Sequence, residues 1–283
     1  MNEQVEAILR EFNANPSDFL ISPSLSDVWT GPVPGAHALG AWFALRDAFE
    51  HTSLWPIIRG EPPKPVIRRR APRKEGPPVD FAAILAATHY GPVSETLSTR
   101  LREQRTFYAE RLGLSTPADI DARGLAQVVD ASGVLEFTGT PKREREPWPA
   151  EPTSTAPIEF LSTRSQRTQT TFPTLELSLV ALKNPYETPA YFGFGGGNDC
   201  PVPEIQVAVL RDWFERFGAV PAVIAGAVME CVVARPPTNE EESLELAAEQ
   251  WIFCADIVNQ GTMSVRRLAI ELWQRPQWFF WWD

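Results

Sequence analysis

Hydrophobic positions along the chain change period several times, and each change marks an element. Val5, Ile8, Leu9 and Phe12 share one helical face over residues 3–13, and residues 18–22 read as a short strand before a turn-rich segment ending at Pro34. Leu175, Leu177 and Leu179 alternate with Glu176 and Ser178, as a half-buried strand requires. The pattern then predicts a helix near 203–217, strands near 220–225 and 228–234, and a long helix near 239–258. A helix near 264–274 and a last strand over 277–282 complete it. On the long helix, Leu244, Ala247, Ala248, Trp251, Ile252 and Ala255 keep helical spacing and form the expected core face, with Thr238 and Glu241 as a capping box. Val265, Leu268, Ala269, Leu272 and Trp273 make a second stripe, which core packing explains more simply than an aromatic ligand cage. The chain closes on four aromatics, Phe279 to Trp282, and Asp283; disordered ends are usually polar, so this end reads as a docked strand.

One pattern occurs twice. Pro32-Val33-Pro34 leads into a helix holding Leu45-Arg46-Asp47-Ala48-Phe49-Glu50 and then the strand Leu54-Trp55-Pro56-Ile57-Ile58. Pro201-Val202-Pro203 leads into Leu210-Arg211-Asp212-Trp213-Phe214-Glu215 and then Val220-Pro221-Ala222-Val223-Ile224. The interval from the last proline to the Leu-Arg-Asp is 11 residues in one copy and 7 in the other, a difference close to one helical turn, which preserves the buried face. These elements predict an α+β fold: a mixed, mostly antiparallel sheet with packed helices, a duplicated helix-strand unit and a helical insertion.

Breaks in composition divide the chain. Residues 61–78 interleave six prolines with Arg68-Arg69-Arg70 and Arg73-Lys74, and residues 140–157 again mix proline with charge. Both read as exposed linkers. Helical spacing returns from Phe81 to Arg111, and Thr116-Pro117-Ala118-Asp119 looks like a further helix start, so residues 79–127 form the insertion. The expected division is residues 1–60 as an N-terminal helix-strand unit packing with the core, 61–155 as linkers and insertion, and 156–283 as the C-terminal core.

Charge and cysteine content narrow the classes. The chain carries a net charge of -10, and residues 172–283 hold 15 acids against 7 bases. Nucleic acid is therefore excluded as an expected partner of that half, since a polyphosphate needs a cationic surface. The basic run at 68–74 lacks the interleaved aromatics of a single-strand binder. Cys200, Cys231 and Cys254 are odd in number and far apart, which indicates neither a disulfide framework nor a zinc knuckle, so no metal and no cofactor are expected. No apolar run reaches the roughly 20 residues of a membrane span, and the acidic start Met1 to Glu6 has no apolar leader. The chain reads as cytoplasmic, with no membrane partner and an oligomeric state the sequence leaves open.

Three sets of residues are candidates for function. The Gly195-Gly196-Gly197 turn sits before a helix, where phosphates bind, but it holds Asp199 and no lysine and fits neither the dinucleotide fingerprint nor the P-loop. A plain turn, with Asn198 or Asp199 capping the helix and Pro201 or Pro203 in its first turn, is the simpler expectation. Glu242, Glu245, Glu249 and Asp256 fall on one face of the long helix, which could attract a basic partner or hold a hard cation, with a plain solvated face the commoner meaning. Cys200 and Cys254 lack a base, because His37, His51 and His89 all lie in the N-terminal half, so inert thiols are expected. No catalytic set with diagnostic spacing occurs, which makes an enzyme the less favoured class.

Taken together, Gly195-Gly196-Gly197-Asn198-Asp199-Cys200-Pro201, Leu210 to Ala219, Arg235-Pro236-Pro237, Ala248-Glu249-Gln250, Phe253-Cys254-Ala255-Asp256-Ile257, Gln260-Gly261 and Phe280-Trp281-Trp282-Asp283 resemble a bacterial domain-of-unknown-function family, number 4253, over about residues 173–283. The chain departs from that family's pattern at Gly197, where Trp is usual, and at Ala255, where Pro is usual. The resemblance implies bacterial origin and no established activity, and it supplies no catalytic residues. Charge and the lack of catalytic machinery favour a non-enzymatic, immunity- or antitoxin-like protein, with Glu242, Glu245 and Glu249 binding a basic partner. The alternative is an enzyme or small-ligand binder using Asn198, Asp199, Cys200, Glu249, Cys254 and Asp256, if the turn lies against the long helix.

Overall fold

A computed structural model describes residues 1–22, 25–61, 79–111, 128–129, 135–136, 146–153, 157–165 and 167–282. The linker at 62–78, the helix start expected at Thr116 and the charged stretch 141–145 lie outside the described residues. The chain divides into two compact units. The first comprises Met1–Ala87, Glu159–Phe194 and Val220–Cys231; the second comprises Thr88–Ile158, Gly195–Ala219 and Val232–Asp283.

In the first unit, helix α1 (Glu3–Glu11) buries Val5 and Leu9, and Asn2 caps it by accepting from the Gln4 N–H. Strands β1 (Leu20–Ser22) and β2 (Leu25–Pro34) follow, then helices α2 (Gly35–Asp47) and α3 (Phe49–Thr52), strand β3 (Leu54–Gly60) and helix α4 (Phe81–Ala87). The expected turn-rich run up to Pro34 is thus a ten-residue strand. It accepts Pro32 and Pro34 because β1 pairs along it only as far as Thr30, leaving an open edge where a missing N–H costs nothing.

The second unit holds α5 (Val93–Arg111) and the two-residue strands β4 (Val128–Val129) and β5 (Leu135–Glu136). The chain returns to the first unit for β6 (Thr174–Ala181) and α6 (Thr188–Phe192), then forms α7 (Pro203–Phe217), β7 (Ala219–Ala225) and β8 (Val228–Val233). It closes with α8 (Glu240–Phe253), α9 (Val265–Leu272) and β9 (Gln277–Trp281). The fold is α+β: seven strands in the order β1-β2-β6-β3-β7-β8-β9 form a mixed, mostly antiparallel sheet. No helix among the described residues is long and apolar enough to cross a membrane.

The two copies of the repeated unit have matching structures. A constant offset of 165 residues relates Leu45 to Leu210, Pro56 to Pro221 and Ile58 to Val223. In the sheet β3 and β7 are parallel, and their paired residues are Ile58 and Val223, the same pair that the repeat predicts. The left-handed residue before each strand also corresponds: Ser53 at φ 54° and Gly218 at φ 63°.

Aromatic residues fill each core. In the first unit Trp42 meets Trp55 and Phe160 edge-on, at 5.9 and 5.8 Å, and its indole N–H donates to the Pro56 carbonyl at 2.9 Å. In the second, Trp213 stacks on Phe280 at 5.7 Å and meets Trp278 and Phe253 edge-on. Trp278, Phe280 and Trp282 are therefore core, while Phe279 and Trp281 on the other face of the strand are half-buried.

Helix α8 departs from its expected form. Asn239, not Thr238, is its cap and accepts from the Glu242 N–H at 2.9 Å, while the Thr238 N–H donates to the Glu242 carboxylate at 2.8 Å. The buried residues are Ser243, Leu246, Ala247, Ala248, Gln250, Trp251 and Phe253; of the predicted face Ala247, Ala248, Trp251 and, beyond the helix, Ala255 are buried, while Leu244 and Ile252 are only partly covered. The helix ends at Phe253 because Cys254 is extended, and a π-type turn over Ile257–Thr262 follows. Gly261 belongs to that turn, where a Cβ would stand 2.8 Å from the Trp281 ring.

Candidate functional site

The Gly-rich turn is closely determined. At Gly195 φ is 118°, and a Cβ there would lie 2.0 Å from the Pro201 carbonyl oxygen and 2.3 Å from Gln206 Nε2, so only glycine fits. The Gly196 N–H donates to the carbonyls of Cys200 and Pro201, and the Cys200 N–H donates to the Gly197 carbonyl at 3.0 Å. Gln206, wholly buried one turn into α7, donates to the Pro201 carbonyl at 2.8 Å and reaches Cys200 Sγ at 3.7 Å.

The expected helix cap is absent. Val202 occupies the cap position of α7 with no side-chain hydrogen bond, and Pro203 takes the first helical position. Asn198 is exposed in a left-handed conformation. Asp199 instead turns inward to Arg100 of α5, with Arg100 Nη2 donating to Oδ1 at 2.6 Å and also to the Asp199 carbonyl. At 5% and 9% exposure the two form a buried ion pair, which is held when complete and strongly destabilising if one member is lost.

Helix α5 packs on both α7 and α8. Several polar atoms in these helices are sealed from solvent without a described partner: Arg100 Nε, Thr96 Oγ1 one turn earlier on the same face, and Gln250 Nε2 on α8. Such groups carry a desolvation cost of about 1–3 kcal/mol each, and their presence calls for an explanation.

The candidate residues separate into two clusters. Cys254 donates its thiol hydrogen to the Trp281 carbonyl at 3.0 Å, and Asp256 and Cys200 add electrostatically to the larger effect of burial in raising its thiol. Asp256 is buried and accepts from Gln260 at 3.0 Å. Burial pushes the Cys200 thiol up to about 12, against the pull of Arg100 and with the push of Asp199, and burial drives Cys254 well above the ordinary thiol value. Cys231 is pushed up by burial as well. The unit's only histidine, His89, is exposed and bonded to Glu95. Neither thiol has the lowered pKa that a nucleophile needs.

Glu249 belongs to the other cluster. It accepts from the Trp213 indole N–H at 2.9 Å and from Arg216 Nη1 at 2.7 Å, and Arg216 also donates to Asp212 at 2.9 Å. Burial pushes the Glu249 carboxyl up in spite of Arg216, while Arg216, although burial opposes it, is held above its ordinary value by facing two carboxylates. Of the acidic stripe, then, Glu249 is bound internally and Glu242 helps cap its own helix; Glu245 is left with a 67% exposed side chain, 3.9 Å from Arg216. Sequence reasoning missed Arg100, Thr96 and Gln250. Arg100 is 99 positions from its partner, and no local signal links them. Among the described residues no group of His, Cys, Asp and Glu could hold a metal ion.

The second unit is thus an α+β assembly built round a fixed Gly-rich turn and a buried ion pair. A profile of the domain-of-unknown-function family DUF4253 matches residues 176–283, so the C-terminal region carries that domain. No curated protein and no solved structure matches the chain.

Proposed function

We propose that the chain is a non-enzymatic binder of a small ligand rich in hydrogen-bond acceptors, taken up at the Gly-rich turn and its supporting helices. The observation that carries this reading is the set of buried donors without acceptors among the described residues, Arg100 Nε, Thr96 Oγ1 and Gln250 Nε2, on helices that pack together. An acceptor-bearing ligand would relieve their desolvation cost. The raised thiols of Cys200 and Cys254 favour recognition over covalent chemistry. The test is a thermal-shift titration of the full chain with acetate, succinate, glutamate and inorganic phosphate. A saturable rise in Tm that Gln250→Met weakens supports the reading; no rise with any of the four, or a rise unaffected by Gln250→Met, refutes it.

A second reading, an immunity- or antitoxin-like protein that holds a basic partner, is favoured by the exposed Glu245 and Glu241 on α8. Reversal of those two charges should then abolish salt-sensitive capture of a basic protein.

A further inference from the structure

In the first unit, β3 is irregular at one point. Its pairing with β6 shifts register between Ile58, opposite Leu177, and Gly60, opposite Glu176, so Arg59 is the extra residue of a β-bulge. Bulges concentrate beside functional sites, where they re-aim a side chain. Here the re-aimed group is a guanidinium whose Cζ stands 4.0 Å from the centroid of the Phe192 ring at the end of α6. Its Nη1 is sealed from solvent and donates to no described group. Glu176 acts on it through charge, with no ion pair between them among the described residues. Burial accordingly pulls the Arg59 pKa down to about 10, with Glu176 opposing.

The repeat shows that the fold does not require this charge. The residue 165 positions on, at the same place in β7, is Ile224, which is 1% exposed. An apolar side chain therefore satisfies the position where packing alone decides. Arg59 keeps a largely buried cation where its counterpart keeps a hydrocarbon, although the residue as a whole is half-buried, not sealed. A guanidinium set against an aromatic face with an Nη1 that donates to no described group has the chemistry to receive an oxygen anion, which accepts N–H groups in the plane while the ring covers the face.

We infer that Arg59 and Phe192 form an oxyanion-binding site, for a carboxylate or a phosphate group of a small ligand. This inference does not rest on the function proposed above. The test uses the full chain in a buffer free of oxyanions, titrated at constant ionic strength with acetate and, separately, with inorganic phosphate, following Tm and heats of binding. The expected result is saturable binding of at least one probe, weakened about tenfold or more by Arg59→Met, as loss of a charge-assisted hydrogen bond implies. Arg59→Met should also be at least as stable as the parent without probe. Phe192→Leu, which keeps the charge, should retain weakened binding, and it serves as the test should Arg59→Met not fold. Gln250→Met should leave this binding intact, which separates its failure from that of the other site. The inference is overturned if neither probe binds, if both variants bind like the parent, or if Arg59→Met loses stability in probe-free buffer.

Discussion

Replacing Glu249 with alanine tests how the second unit is held together. The carboxylate is the acceptor for the Trp213 indole N–H, and Trp213 is wholly buried. Without Glu249 that donor has no acceptor, a cost of about 1–3 kcal/mol. Arg216 loses one partner but keeps Asp212 and is 29% exposed, so its share is reduced to about 1 kcal/mol. The expected loss is about 3 kcal/mol. Glu249→Gln retains an acceptor oxygen and should lose about half as much. Urea unfolding followed by tryptophan fluorescence reads the change directly. The pH dependence adds a second check. The folded-state pKa of Glu249 is raised above its ordinary 4.5, so the native protein binds this proton more tightly than the unfolded chain. Its contribution is present below pH 4.5 and is lost as pH rises through the folded pKa, and Glu249→Gln should flatten that decline. A loss under about 1 kcal/mol for Glu249→Ala would refute the internal role and return Glu249 to the solvated face.

Two further predictions concern the turn. Gly195→Ala should destabilise the protein by about 3 kcal/mol or prevent folding, because φ and both backbone and side-chain contacts forbid a Cβ, whereas Gly197→Ala, with nothing within 4 Å, should change stability by under about 0.5 kcal/mol in the same urea assay. Iodoacetamide at pH 8 should modify Cys200 at least about a hundredfold more slowly in the folded protein than in urea, because its thiol is raised to about 12; equal rates would contradict the burial assigned to it.

Elements whose hydrophobic period was unbroken were legible in the sequence: α1, the α2-β3 and α7-β7 pairs, β6, β8 and β9. Each is set by local patterning and flanking turn residues. β2 was not, because Pro32 and Pro34 read as turn residues until the shortness of β1 shows that they sit on an open edge. The end of α8 was missed because helical spacing continues through Ala255, while the extended Cys254 is set by tertiary contacts such as its thiol hydrogen bond to Trp281. The turn residues Asp199 and Cys200 were visible by composition, but their surroundings were not. Arg100 lies in another stretch of chain, and a lone arginine on a helix face carries no signal of the carboxylate it will meet.

The in-register pairing of the repeated strands constrains how this protein can change. Because β3 and β7 run side by side with Ile58 paired to Val223, a repeat counterpart is a lateral neighbour there. Gly60 faces Ala225, and a methyl group on Gly60 would come within 3.3 Å of the one on Ala225, so the pair has room for little more than one methyl between them. The two copies cannot drift independently there. Gly60 is also left-handed at φ 88°, which strains any side chain there, so glycine is held at this position and Ala225, the methyl it faces, is the side of the pair whose size can change.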